Sequence, residues 1–123
     1  MTAPSSAVAA IPFRRPLRYG VIGTGMMGCE HIANLVHLGR TDAVDGVAAV
    51  EVVALADPTP RSLEWGVAAA GPAGTAVDTY ADHRALLERD DLDAVVIASP
   101  NHTHATVLRD VLATRLAVMI AKP

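Results

Sequence analysis

Tyr19-Gly20-Val21-Ile22-Gly23-Thr24-Gly25-Met26-Met27-Gly28 is the stretch on which the reading of this chain turns. It begins as a short apolar run, passes through glycines spaced G-x-G-x-x-G, and leads into residues of helical periodicity. A chain with 9 glycines can produce such spacing by accident, so the flanking context decides. A strand before the loop and an amphipathic helix after it are what a dinucleotide-binding loop requires. Gly23 then permits a tight turn, Gly25 lets the backbone approach a pyrophosphate, and Gly28 lets helix and strand pack closely. Unpaired amides and the helix dipole favour the phosphates. Met26 and Met27 offer adaptable apolar contact beside the cofactor, or equally a core role.

Outward from the loop, apolar runs alternate with helical spacing. Strands are expected over Arg18–Ile22, Glu51–Ala56, Ala76–Thr79, Ala94–Ala98 and Ala117–Ile120. Most are continuously apolar, as in strands buried on both faces. Gly28, Ile32, Leu35 and Val36 place one face of the first helix on the sheet, and Gly39 is expected to end it. Thr41 to Val50 reads as a surface loop or frayed turn. Thr59 and Pro60 start a second helix with Leu63 and Val67 facing inward. Asp82 caps a third containing Leu86 and Leu87, and Asn101 caps a fourth with the stripe His104, Leu108, Val111 and Leu112. These elements predict an α/β fold: a doubly wound, Rossmann-like parallel sheet of five strands in the order 3-2-1-4-5.

An acid near the end of the second strand completes the loop, because its carboxylate can accept hydrogen bonds from the adenosine ribose hydroxyls. Asp57 occupies that place. It is farther from Gly28 than the usual interval of about 20 residues, and the Thr41 to Val50 loop accounts for the excess. Its charge repels a 2′-phosphate, which favours NAD over NADP, while Arg61 nearby could act in the opposite sense. Asp57 could also simply begin the turn Asp57-Pro58-Thr59-Pro60.

Composition narrows the alternatives. The chain has 123 residues, 51% apolar and 19% charged, enough for one core. Ten basic against thirteen acidic side chains, with no basic run, argue against a nucleic-acid partner. The single Cys29 cannot form an internal disulfide, which fits a cytoplasmic location. At the first turn of a helix its thiol could be acidified, or it could be a small packing residue. Residues 1–16 read as a disordered extension without the pattern of a signal peptide, and Arg14-Arg15 lack the apolar segment that twin-arginine export needs. No stretch approaches a membrane span. Trp65 and Tyr80 carry no readable function.

Four segments together resemble the amino-terminal domain of the glucose-fructose oxidoreductase, inositol dehydrogenase and rhizopine catabolism (Gfo/Idh/MocA) family. They are Tyr19 to Gly28, Ala56-Asp57-Pro58, Asp93 to His104 with its Pro-Asn-x-x-His turn, and Ala121-Lys122-Pro123. The resemblance covers 17–123 and implies an NAD(P)-dependent oxidoreductase that exchanges hydride with a sugar, cyclitol or similar polyol. It places Ser99, Pro100, Asn101 and His104 beside the nicotinamide half, with packing and capping the other role open to His104. Lys122 matches the family lysine that polarises the reacting hydroxyl or carbonyl, a role in which an ammonium stabilises a developing alkoxide. His102 and His104 alone make a poor metal site, and no metal is expected.

Ala121 departs from the family's glutamate. Family members also continue into a second, open-sheet domain that supplies the substrate pocket and usually the subunit interface. Nothing here corresponds to it. The expectation is a nucleotide-binding part of a longer protein that is homo-oligomeric when intact, binding NAD without efficient catalysis on its own. The edge strand Leu116 to Ile120 would promote self-association. The competing reading is a dinucleotide-binding module without chemistry, or an inactive truncated relic. A methyltransferase using S-adenosylmethionine shares only the glycine loop and comes third.

Overall fold

The computed structural model describes residues 15–71 and 77–121. Its strands are β1 (Leu17–Ile22), β2 (Val50–Ala56), β3 (Asp78–Tyr80), β4 (Ala94–Ile97) and β5 (Ala117–Ile120). Its helices are α1 (Met26–Thr41), α2 (Pro60–Ala70), α3 (His83–Leu87) and α4 (His104–Leu112), the last preceded by a 3-10 turn over Asn101–Thr103. All strand pairs are parallel and their order is β3-β2-β1-β4-β5, as expected. Ala76, expected in the third strand, lies outside the described residues.

The apolar runs supply both faces of the sheet because successive side chains point to opposite sides. On one face Ile22, Ala54, Val95 and Ile97 pack against Leu86, Val107 and Val111 of α3 and α4. On the other, Val21, Leu55 and Val96 pack against Ile32 of α1 and Ala70 of α2. Between Tyr19/Val52 and Gly20/Ala54 the register slips past Val53. That bulge puts Val53 and Ala54 on the same side, and Leu55 and Ala56 resume the alternation.

Several local expectations shift. Gly39 does not end α1, which runs on to Thr41. Gly39 serves a close approach instead, since a Cβ there would overlap the Val50 carbonyl. Asp45 (φ 52°) and Gly46 (φ 78°) form a tight turn closed by reciprocal bonds between Val44 and Val47. This Asp-Gly pair is the sequence signature of such turns, so the segment expected as a surface loop or frayed turn holds an ordered one. On α2 the buried line runs through Leu63, Gly66 and Ala70, leaving Val67 exposed. On α4, Val107 is buried and Leu112 is 66% exposed, so the stripe is His104, Val107, Leu108 and Val111. Asn101 sits in the 3-10 turn rather than capping α4. Asp82 does cap α3, accepting the Arg84 amide hydrogen at 2.8 Å.

β5 is an edge strand with Met119 50% and Ile120 37% exposed, so it is not buried on both faces. β3, the opposite edge, is pinned by Arg89, which donates to Asp78 at 2.6 Å and to the Tyr80 hydroxyl at 3.0 Å. Tyr80 thus gains a role its sequence position did not reveal. Among the described residues no helix is long and apolar enough to cross a membrane.

At the amino end of the sheet, Arg15 donates two hydrogen bonds to the Asp93 carboxylate, at 2.7 and 2.8 Å. The Arg18 amide donates a third at 2.8 Å. The Arg15 bonds foremost, then the Arg18 amide, hold the Asp93 carboxyl down to about 2. Because the folded pKa is depressed, the stabilisation is complete above the unfolded value of 3.8 and is lost as pH falls through about 2. Arg15→Ala should raise the Asp93 pKa part of the way back, leaving the Arg18 bond in place. Carboxyl carbon NMR would follow it, and an unmoved titration would show that Arg15 does not hold Asp93 in solution.

Candidate active site

The carboxyl ends of the strands open into a cleft of about 1030 Å³. Its floor is the β1–α1 loop, where Gly23 has φ 98°. A Cβ on Gly23 would collide with the backbone of Ser99, and one on Gly28 would overlap the Gly23 carbonyl. Gly28 therefore acts behind the loop, letting α1 press against it, and does not itself line the cleft. Gly25 is the N-cap of α1 and offers no side chain to the first turn. The amides of that turn have no acceptor within the helix, and a Cβ at Gly25 would meet nothing within 4 Å. This open, electropositive floor fits a pyrophosphate.

Asp57 stands at the end of β2. Its Oδ2 accepts the Thr24 amide hydrogen at 2.9 Å and its Oδ1 the Thr59 amide hydrogen at 2.8 Å. The turn role and the ligand role are thus compatible, because an ionised carboxylate has about four acceptor sites and these bonds use two. Asp57 lines the cleft with Gly23, Gly25, Met26 and Met27. Met26 is 88% exposed, which excludes a core role for it.

Thr24 itself is buried, with its Oγ1 lacking any partner among the described residues. Its methyl side faces Gly66 of α2, where any Cβ would press on it. That contact explains why the buried line of α2 runs through a glycine. An unpaired buried hydroxyl costs free energy that a valine of the same shape would not. Thr24→Val should raise stability by about 1 kcal/mol, read as a higher thermal midpoint. A lower midpoint would show that the hydroxyl holds a buried water.

Cys29 donates its thiol hydrogen to the Thr24 carbonyl at 3.3 Å. Burial, and then the charge of Asp57, push its pKa up rather than down. It is a packing residue and not an acidified thiol.

At the other end, Ser99, Pro100 and Asn101 also line the cleft. His104 is not on its wall. Its Nε2 lies 2.7 Å from the Ser99 carbonyl, which can only accept, so Nε2 carries the hydrogen and the ring braces the turn. Thr103 adds a second brace, its hydroxyl 2.7 Å from the Ser99 hydroxyl and 2.6 Å from the Pro100 carbonyl. Ala121 is buried against the cleft. Lys122 lies outside the described residues. Sequence reasoning missed the loop and first turn of α3 over Ala81 to Arg84, and Thr106, which line the cleft beside Asp57 and α4. Only the parallel pairing of β2 with β3 brings that loop there, so no local motif marks it.

Comparison with known proteins agrees with this geometry. The family model described as "Oxidoreductase family, NAD-binding Rossmann fold" matches residues 17–123. Inositol 2-dehydrogenase 1 of Saccharopolyspora erythraea is 36% identical over 107 residues, covering 87% of this chain and 28% of its own. The rhizopine catabolism protein MocA of Rhizobium meliloti is 31% identical, over 86% of this chain and 29% of its own. The crystal structure of myo-inositol dehydrogenase from Lactobacillus casei, in complex with NAD(H) and myo-inositol, superposes with a TM-score of 0.72 at 30% identity. It covers 88% of this chain and 29% of its own. The chain thus spans under a third of the length of these relatives. A match that runs unbroken through the glycine loop, Asp57 and the turn after β4 leaves one assignment: the chain belongs to the Gfo/Idh/MocA oxidoreductase family and carries its NAD-binding Rossmann domain.

Proposed function

We propose that this chain binds NAD and forms the cofactor half of a dehydrogenase that acts on a cyclitol of the inositol type. The observation that carries the reading is Asp57, a carboxylate tied to the glycine loop through the Thr24 amide, facing the cleft with acceptor sites to spare. Relatives named as inositol 2-dehydrogenases support the substrate class. NAD, when bound, supplies the hydride acceptor. The first turn of α1 holds the pyrophosphate, with Gly25 leaving room for it while Gly23 makes the turn and Gly28 lets α1 pack behind the loop. Asp57 takes the ribose hydroxyls and disfavours NADP. Met26 and Met27 give apolar cover, and Ser99, Pro100 and Asn101 border the nicotinamide half. His104 braces that border through the Ser99 carbonyl. Lys122 is the residue we assign to polarising the reacting oxygen. We place the whole enzyme in the cytoplasm as a homo-oligomer and assign its polyol pocket to a further domain.

A second reading, a dinucleotide-binding module without chemistry, draws on Ala121. It is only 7% exposed on the cleft wall, at the position where the family carries a glutamate. Titration with NADH and NADPH, followed by nicotinamide fluorescence, tests both readings at their common point. Saturable NADH binding, tighter than NADPH, is expected. No saturable signal with either cofactor would reject them.

A further inference from the structure

An adenine ring packs well against a flat ring, and aromatic side chains are few in the cleft. No Phe, Tyr or Trp lines it among the described residues, and the rings that do are His83 and His102. They sit at opposite ends. His102 belongs to the turn after β4, whereas His83 opens α3, directly after the strand that pairs with β2 and Asp57. The backbone confirms how close these loops are, since the Asp57 amide donates to the Tyr80 carbonyl at 3.0 Å. His83 therefore stands at the adenosine end.

One hydrogen bond, to Asp110, holds the ring there. Its Nε2 lies 2.7 Å from Asp110 Oδ2 and its Nδ1 lies 3.7 Å from Asp82 Oδ1. Asp110 follows Thr106 and Val107 by one turn of α4, so the same helix face lines the cleft and anchors the ring. The His83 side chain is only 16% exposed. With Nε2 engaged by Asp110 and the ring on the cleft wall, part of its flat carbon surface borders the cleft.

We propose that His83, oriented by Asp110, is the residue against which the adenine ring of the dinucleotide stacks. The inference rests on the NAD-binding reading and adds the part of the ligand that reading leaves without a partner. Asp110 is a positioning residue in this arrangement. Its carboxylate sets the ring plane and touches no ligand.

The test separates the stacking surface from the tie between α3 and α4. Calorimetric titration with ADP-ribose reports the adenosine half, and the fluorescence of reduced nicotinamide mononucleotide reports the other half. His83→Ala should weaken ADP-ribose binding by about tenfold, the size of one base-stacking contact, and leave the mononucleotide unchanged. His83→Phe keeps a flat ring and loses the bond to Asp110, whereas His83→Gln keeps an amide donor for Asp110 and loses the ring. Recovery of ADP-ribose affinity by Phe and not by Gln is the expected result. Recovery by Gln alone would show that His83 is only a structural tie, and an unchanged affinity in the Ala variant would equally overturn the proposal. If the unaltered chain bound neither NADH nor ADP-ribose, the NAD-binding reading itself would fall, and the stacking role with it. Circular dichroism of each variant would confirm that it is folded.

Discussion

Replacing Gly23 by alanine is expected to abolish NADH binding and to cost the domain roughly 3 kcal/mol or more of stability. Two causes add at this position. The backbone sits at φ 98°, a conformation that side chains rarely adopt. A Cβ built there also runs into the main chain of Ala98 and Ser99, which cannot step aside as a flexible side chain could. Any relief must move β1 away from β4, and with it the turn proposed to border the nicotinamide half. Gly46→Ala is the matched control, since it has φ 78° and nothing within 4 Å of an added Cβ. It should cost only the backbone part, about 1–2 kcal/mol, and leave NADH binding intact. Chemical denaturation and fluorescence titration of the two variants give the comparison. Equal losses would mean that close approach to Ser99 plays no part.

The contrast between these glycines also shows what the amino-acid sequence could reveal. Gly23 was legible because its neighbours are diagnostic, with Val21 and Ile22 before it and Gly28 and Ile32 after it. The same holds for the strands. Val95, Val96 and Ile97 form an unbroken apolar run that can be satisfied only by burial on both faces. Legibility failed where a residue's role depends on a partner distant in sequence. Val67 looked buried by periodicity, but the contact of α2 with Thr24 and Leu55 is too close for a side chain, so the helix turns Gly66 inward instead. His83 carried no signal at all, because Asp110 meets it only after β4 and α4 are in place. The sequence assigns Asp93 no partner, yet Arg15 and the Arg18 amide close on it. In each case the missing information is tertiary. Asp45-Gly46 is the exception, a turn whose signature was present and went unread.

The other large effect belongs to Asp57, and the structure changes what its removal should do. As a ribose ligand alone, Asp57→Ala would weaken NADH and leave the loop unaltered. Here the carboxylate also accepts the Thr24 and Thr59 amides, so alanine leaves both without their acceptor. Hydrogen bonds to a charged group are worth about 1.5–3 kcal/mol. NADH affinity should therefore fall roughly 10- to 100-fold, with a lower thermal midpoint as well. NADPH should lose less. It suffers the same loosening of the loop, but removal of the carboxylate relieves repulsion of the 2′-phosphate. Asp57→Asn separates the two contributions. It keeps an oxygen acceptor for one of the two amides, so it should recover part of the thermal loss, while the charge proposed to discriminate against NADPH is gone. The two cofactors should consequently bind with more nearly equal affinity in Asn than in the unaltered chain. If Ala and Asn weakened NADH and NADPH by the same factor, the carboxylate would be a loop fastener only. Cofactor preference would then have to be sought among Thr59, Ser62 and Arg84, which line the same end of the cleft.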